Sequence, residues 1–205
     1  MLFAVCFWAV KRGGLRKRTG SKNKAELMID AEHCDIPSLV RTIEKQTRCS
    51  PTLLAAGSIS ELPVTVPVHL AIQLAKKGKC LLIDLDLNRD AAAKVFELET
   101  PETGAGFHVS AAPTSIENLF VWPARHFETL RQMNLRPLLK EARKKYDYIL
   151  LYAPYLTTLA DRKQIAGCVK QAFVFGNRQD GSDRLISLLR SEERRVGKEC
   201  VSTCR

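Results

Sequence analysis

The pattern that most restricts the fold is an alternation of short apolar runs with amphipathic segments, sustained from residue 51 to about 190. "TLLAA" (52–56), "KCLLIDLDL" (79–87), "DYILLYAP" (147–154) and "VKQAFVFGN" (169–177) are runs of strand length, as expected of strands buried on both faces. Between the first two, "VTVPVHLAIQLAKKG" (64–78) places apolar residues at 66, 70, 71, 74 and 75. That is a helical stripe, with Pro67 tolerated in the first turn and Gly78 as the stop. "RDAAAKVFEL" (89–98), "LRPLLKEARKKY" (135–146), "TTLADRKQIAGC" (157–168) and "SDRLISLLR" (182–190, Ser182 as N-cap) read as further helices. "GFHVSAA" and "ENLFVWPA" read as short strands. Strands spaced by helices predict an α/β fold, a doubly wound, mostly parallel sheet flanked by helices.

At 205 residues and 45% hydrophobic composition, the chain suits one such domain with extensions at its ends. The net charge of +10 is concentrated outside the alternating region. Segment 11–24, "KRGGLRKRTGSKNK", holds seven basic residues and no acidic one, and the last sixteen residues add a smaller excess. The body between is nearly neutral, which argues against nucleic-acid binding by a basic face of the fold. Seven cysteines show no C-x-x-C pair and no zinc spacing, so no metal site is expected, at "EHC" (32–34) or elsewhere. Their scatter fits a reducing, cytoplasmic setting.

Both ends read as separate from the domain, which is set at 25–190. The apolar start, residues 2–10, is too short for a membrane helix, which needs about 20 residues. Followed at once by basic residues, it reads either as the inner end of a membrane helix or as a stray apolar stub with a basic linker. Residues 1–24 are thus a stub and linker able to meet an anionic membrane surface through 11–24. The tail "SEERRVGKECVSTCR" (191–205) has no helical or strand period and reads as a non-native, vector- or adapter-like extension, the alternative being a genuine charged tail.

The order of motifs resembles the deviant Walker-A P-loop ATPases, and within them the cytoplasmic domain of bacterial tyrosine kinases that serve exopolysaccharide and capsule assembly. The resemblance spans residues 38–187. His69 to Lys79 match the family helix N-L-A-x-x-L-A-x-x-G-K except at its first position. "LLIDLDLNR" matches the second acidic motif at Asp84, Asp86 and Arg89, and "YDYILLYAP" matches the Walker-B strand except that Tyr152 stands for its aspartate. Asp161 falls where the family has an aspartate opening the next helix.

The phosphate loop departs from the family. Aligned without a gap, G-x-G-K-[ST]-[ST] falls on Ser60, Glu61, Leu62, Pro63, Val64 and Thr65. Ser60 and Leu62 add side chains where backbone amides would wrap phosphate, and Pro63 removes both the lysine charge and a backbone donor. Val64 replaces the magnesium-ligating hydroxyl, leaving Thr65 as the nearest oxygen. Tyr152 removes the carboxylate that helps hold metal and water.

The resemblance therefore implies a degenerate site with no catalytic residue and no cofactor. Thr65, Asp84, Asp86 and Arg89 are its remnant, able to contact nucleotide or magnesium only if the loop still works. Asp84 and Asp86 otherwise read as a solvated loop edge, with Arg89 paired to Asp86. The chain reads as a pseudo-enzyme, a regulatory or scaffolding component contacting protein partners of a polysaccharide assembly and export system at the cytoplasmic side of the membrane. The alternatives are an active ATP-dependent tyrosine autokinase or ATPase needing Mg·ATP, and a partition-type ATPase relative. Homo-oligomerisation is implied as well, although the family's E-x-x-R-x-x-R helix, matched at 38–44, keeps only Arg41. The four tyrosines (146, 148, 152, 155) read as strand and core residues, not as a phosphorylation cluster.

Overall fold

A computed structural model describes residues 3–9, 35–45, 50–86, 89–98, 111–123, 135–155, 165, 167–169 and 171–177, the first of these segments by its backbone alone. Eleven elements follow in chain order: β1 (Phe3–Ala9), α1 (Ile36–Glu44), β2 (Thr52–Ala56), α2 (Thr65–Ala75), β3 (Cys80–Asp84), α3 (Ala91–Val95), β4 (Ala112–Pro113), β5 (Leu119–Trp122), α4 (Leu135–Lys145), β6 (Tyr148–Ala153) and β7 (Gln171–Asn177). The strands form one seven-stranded sheet in the order β1-β7-β2-β6-β3-β5-β4. The five central strands run parallel, and β1 and β4 close the two edges antiparallel. This is the expected α/β, mostly parallel architecture.

Side-chain alternation divides the core into two layers. Leu53, Ala55, Leu81, Ile83, Ile149 and Leu151 meet Leu135, Leu139 and Ala142 of α4 on one face. Leu54, Ala56, Leu82, Leu150 and Tyr152 meet α1 and α2 on the other. α2 buries the predicted stripe, Val66, Leu70, Ala71, Leu74 and Ala75. It stops short of Gly78, where a Cβ would lie 2.7 Å from an Asp147 carboxylate oxygen. That close approach lets Asp147 accept the Lys79 N–H at 3.0 Å and aligns the starts of β3 and β6. Cys80 and Cys168 are buried thiols, neither in a disulfide.

Two sequence expectations change. Phe3–Ala9, set outside the domain as an apolar stub, pairs along its whole length with β7. Seven apolar residues are the length of a strand, and β7 would otherwise present an unpaired edge. The helix expected over 89–98 narrows to Ala91–Val95 because Asp90 takes a left-handed conformation (φ 49°). Of the strand expected over 106–112, residues 106–110 lie outside the described residues, and β4 covers Ala112–Pro113. Segments 11–24, 182–190 and 191–205, most of 157–168, and Asp161 lie outside the described residues. Among those described, no helix is long and apolar enough to cross a membrane.

Candidate functional site

Parallel strands deliver their last residues to one edge of the sheet, where α/β folds place their ligand sites. Here that edge carries the loop 57–64 between β2 and α2, the end of β3 at Asp84, and Tyr152 near the end of β6.

The loop is held by its own residues. Glu61 is buried, and a single carboxylate oxygen accepts the backbone N–H groups of Gly57 and Ser58, each at 2.9 Å. A Cβ at Gly57 would sit 3.2 Å from that oxygen, so the glycine permits the approach. Ser60 is exposed, its hydroxyl 2.9 Å from that of Ser58. Leu62 is fully buried in the α1–α2 layer, and Pro63 and Val64 are half-buried. Thr65 opens α2 and is exposed. Val64, the N-cap residue, makes no side-chain cap bond. Instead, the Val66 and Val68 N–H groups bond back to the Pro63 and Val64 carbonyls at 3.1 Å, and Pro67 has no N–H to offer.

Asp84 and Asp86 are buried, where the sequence reading had a solvated loop edge as one alternative. The two oxygens of Asp84 accept the N–H groups of Asp86 and Ala92, both at 2.8 Å. Asp84 thereby caps α3 from outside, a task that Asp90 at the N-cap does not perform. Burial pushes the Asp84 carboxyl up to about 7; the two N–H bonds oppose the rise, and the charges of Asp86 and Asp90 add to it. Asp86 pairs with the Arg89 Nε at 2.6 Å, the partnership read from the sequence.

Tyr152 joins the two halves. Its hydroxyl donates to the Leu62 carbonyl at 3.2 Å and accepts from the Arg89 guanidinium at 3.4 Å. Burial raises the phenol above its ordinary value, so it stays a neutral donor. One proton and one accepted bond satisfy the hydroxyl. The result is a continuous path, Asp86 to Arg89 to Tyr152 to the Leu62 carbonyl. The structure thus brings together Asp84, Asp86, Arg89, Tyr152 and Leu62; it leaves Thr65 and Ser60 on the surface. The role of Glu61 was not read from the sequence; a glycine four residues before a loop glutamate was the one available signal. Among the described residues no three His, Cys, Asp or Glu side chains are grouped to hold a metal. Arg41 of α1 donates to the Ser38 hydroxyl at 2.9 Å and lies 3.8 Å from the Asp35 carboxylate.

No protein-family profile and no curated protein matches the sequence. Solved structures do match the fold. The kinase domain of the Escherichia coli tyrosine kinase ETK aligns with a TM-score of 0.64 at 16% identity, over 86% of this chain and 78% of that one. The VpsO kinase domain aligns at 0.62 and 19% identity, over 80% and 86%. The BceF tyrosine kinase domain aligns at 0.58 and 20% identity, over 77% and 69%. The chain has the α/β P-loop-like fold of these bacterial tyrosine kinase domains, a likeness of architecture.

Proposed function

We propose that this chain is a catalytically silent domain of P-loop ATPase fold, acting through protein contacts as a regulatory or scaffolding component of exopolysaccharide or capsule assembly. The observation that carries the proposal is the closed loop, with the Glu61 carboxylate on two of its amides and the Tyr152 hydroxyl on its Leu62 carbonyl. In a working phosphate loop, amides and a lysine face the ligand's negative charge. Here a fixed negative charge sits on the amides, and Pro63 stands at the lysine position.

The residues present do not fit Mg·ATP. Both Asp84 oxygens are engaged by backbone N–H groups, and Asp86 is neutralised by Arg89. Thr65 has no carboxylate partner in place of the Walker-B aspartate, because Tyr152 is there. Phosphoryl transfer depends on electrostatic positioning, and this edge offers carboxylates where cations are needed. The polysaccharide setting is supported by the motif order around 69–89 and 146–154 together with the fold likeness to tyrosine kinase domains.

Calorimetric titration of the full chain with Mg·ATP tests the reading. No binding heat is expected. Micromolar binding would reverse it in favour of an active kinase or ATPase with an unorthodox phosphate site. A repaired loop (Leu62→Gly, Pro63→Lys, Val64→Ser) is expected to stay silent until Tyr152→Asp is added, because Tyr152 holds the loop from the opposite strand.

A further inference from the structure

The two edges of the sheet end differently. At one edge β4 is two residues long, Ala112–Pro113, and the proline has no N–H to offer a further strand. At the other edge β1 is seven residues long and pairs with β7 over its whole length. In an antiparallel ladder every second residue turns its N–H and C=O away from the partner strand. Those groups of β1 form the outer edge of the sheet, and among the described residues no strand pairs with it.

Proteins guard such edges with charges, prolines, bulges or brevity. "FAVCFWA" has no charged residue, no proline and no glycine, so it carries none of the residue-type guards. The order of its residues says which strand fits. A two-fold axis at Cys6 lays β1 antiparallel on a second β1 in the one register that pairs all seven residues. Phe3 then falls opposite Ala9, Ala4 opposite Trp8, Val5 opposite Phe7, and Cys6 opposite Cys6. Each aromatic position meets a smaller residue, the alternation of large and small that lets facing positions pack closely. An uncharged strand also needs no charge complement, and a copy of itself supplies none.

We propose that β1 is a self-association edge, onto which a second copy of this chain adds its own β1 antiparallel about a two-fold axis at Cys6. The pairing joins two seven-stranded sheets into one continuous sheet. Backbone N–H and C=O groups make the contact, and the apolar sequence keeps charge out of it. Neither α1, which carries Arg41, nor the loop 57–64 takes part.

The test is sedimentation of the full chain over a wide concentration range, together with residue-resolved amide exchange. A concentration-dependent monomer–dimer equilibrium is expected. In the dimer, those amides of residues 3–9 that exchange freely in the monomer should become protected. Cys6→Lys and Cys6→Glu each set like charges opposite one another and are expected to weaken dimerisation about fivefold. An equimolar mixture of the two sets Lys against Glu and should regain the dimer. A natural chain that stays monomeric overturns the proposal. So does a dimer without new protection in 3–9, whose contact lies elsewhere or exchanges β1 onto the second copy's β7. Protection of those amides at every concentration would mean that one chain covers its own edge, which also overturns it. A mixture no tighter than either variant would show that residue 6 does not meet residue 6, with the same consequence. Thermal unfolding separates a lost dimer from a lost fold; should the variants unfold, amide exchange in the natural chain decides alone.

Discussion

The hydroxyl of Tyr152 donates a hydrogen bond to the main-chain carbonyl of Leu62 at 3.2 Å, across 90 positions of sequence. Both residues are fully buried in the same core layer, so the bond fastens the loop 57–64 to a central strand. Tyr152→Phe keeps the ring and removes the hydroxyl, leaving the Leu62 carbonyl and the Arg89 guanidinium short of a partner. The expected loss is about 1–3 kcal/mol of unfolding free energy, measured by urea denaturation. Amide exchange should accelerate in the loop before the strands, because the bond holds the loop locally. Unchanged loop exchange would remove Tyr152 from the role of latch.

Glu61 tests the other half of the closure. Its acceptor oxygen serves two N–H groups, so Glu61→Ala leaves both amides without it and should cost about 1–3 kcal/mol. Glu61→Gln retains a carbonyl oxygen able to accept both bonds but loses the charge assistance, which roughly doubles the strength of such bonds. The expected order of stability is natural chain, then Gln, then Ala. Equal unfolding midpoints for all three would mean that the loop amides are satisfied without the carboxylate.

The strands and helices of the core were legible in the sequence because burial leaves a periodic record. β2 matches its reading residue for residue at Thr52–Ala56, and α2 buries the stripe that spacing predicted. The closure of the loop was not legible. Tyr152 could be seen as a missing carboxylate, but its partner is a backbone carbonyl, and backbone partners carry no sequence signal. Asp84 and Asp86 read as a wet loop edge ahead of a residual metal site, since two carboxylates beyond an apolar run do not say whether they turn inward to nearby N–H groups. Phe3–Ala9 was set aside for a similar reason. A short apolar segment announces neither membrane nor sheet, and its partner strand lies at the far end of the chain.

Gly78 marks a place where packing, not turn geometry, selects glycine. An added Cβ would fall 2.7 Å from the Asp147 Oδ2 and 3.1 Å from the Asp147 Cβ. Gly78→Ala should therefore destabilise by about 1–3 kcal/mol through overpacking. Asp147→Ala removes the nearer clash but keeps its Cβ, so the double variant should recover only part of the loss. A double-mutant cycle by thermal or urea unfolding measures the coupling. Full additivity would show that the two side chains do not meet.

Asp84 gives the domain a pH dependence with a definite sign. Its carboxyl lies at about 7 in the folded chain against 3.8 for the unperturbed group, chiefly because burial disfavours the charged form. The folded state thus binds a proton more tightly than the unfolded state. The associated stability is fully present below the unfolded value, about pH 4, and is lost as pH rises through about 7. Asp84→Asn removes this titration and, at every pH, one acceptor for the Asp86 and Ala92 N–H groups. The natural chain's advantage over the variant should therefore grow as pH falls from 8 to 4, by up to on the order of 4 kcal/mol. Comparing the two proteins cancels the titration of exposed carboxylates such as Asp35 and Glu141, whose partners Ser38 and Lys144 hold them low. Parallel stability curves across that range would place the Asp84 carboxyl at an ordinary value, its two N–H bonds outweighing its burial.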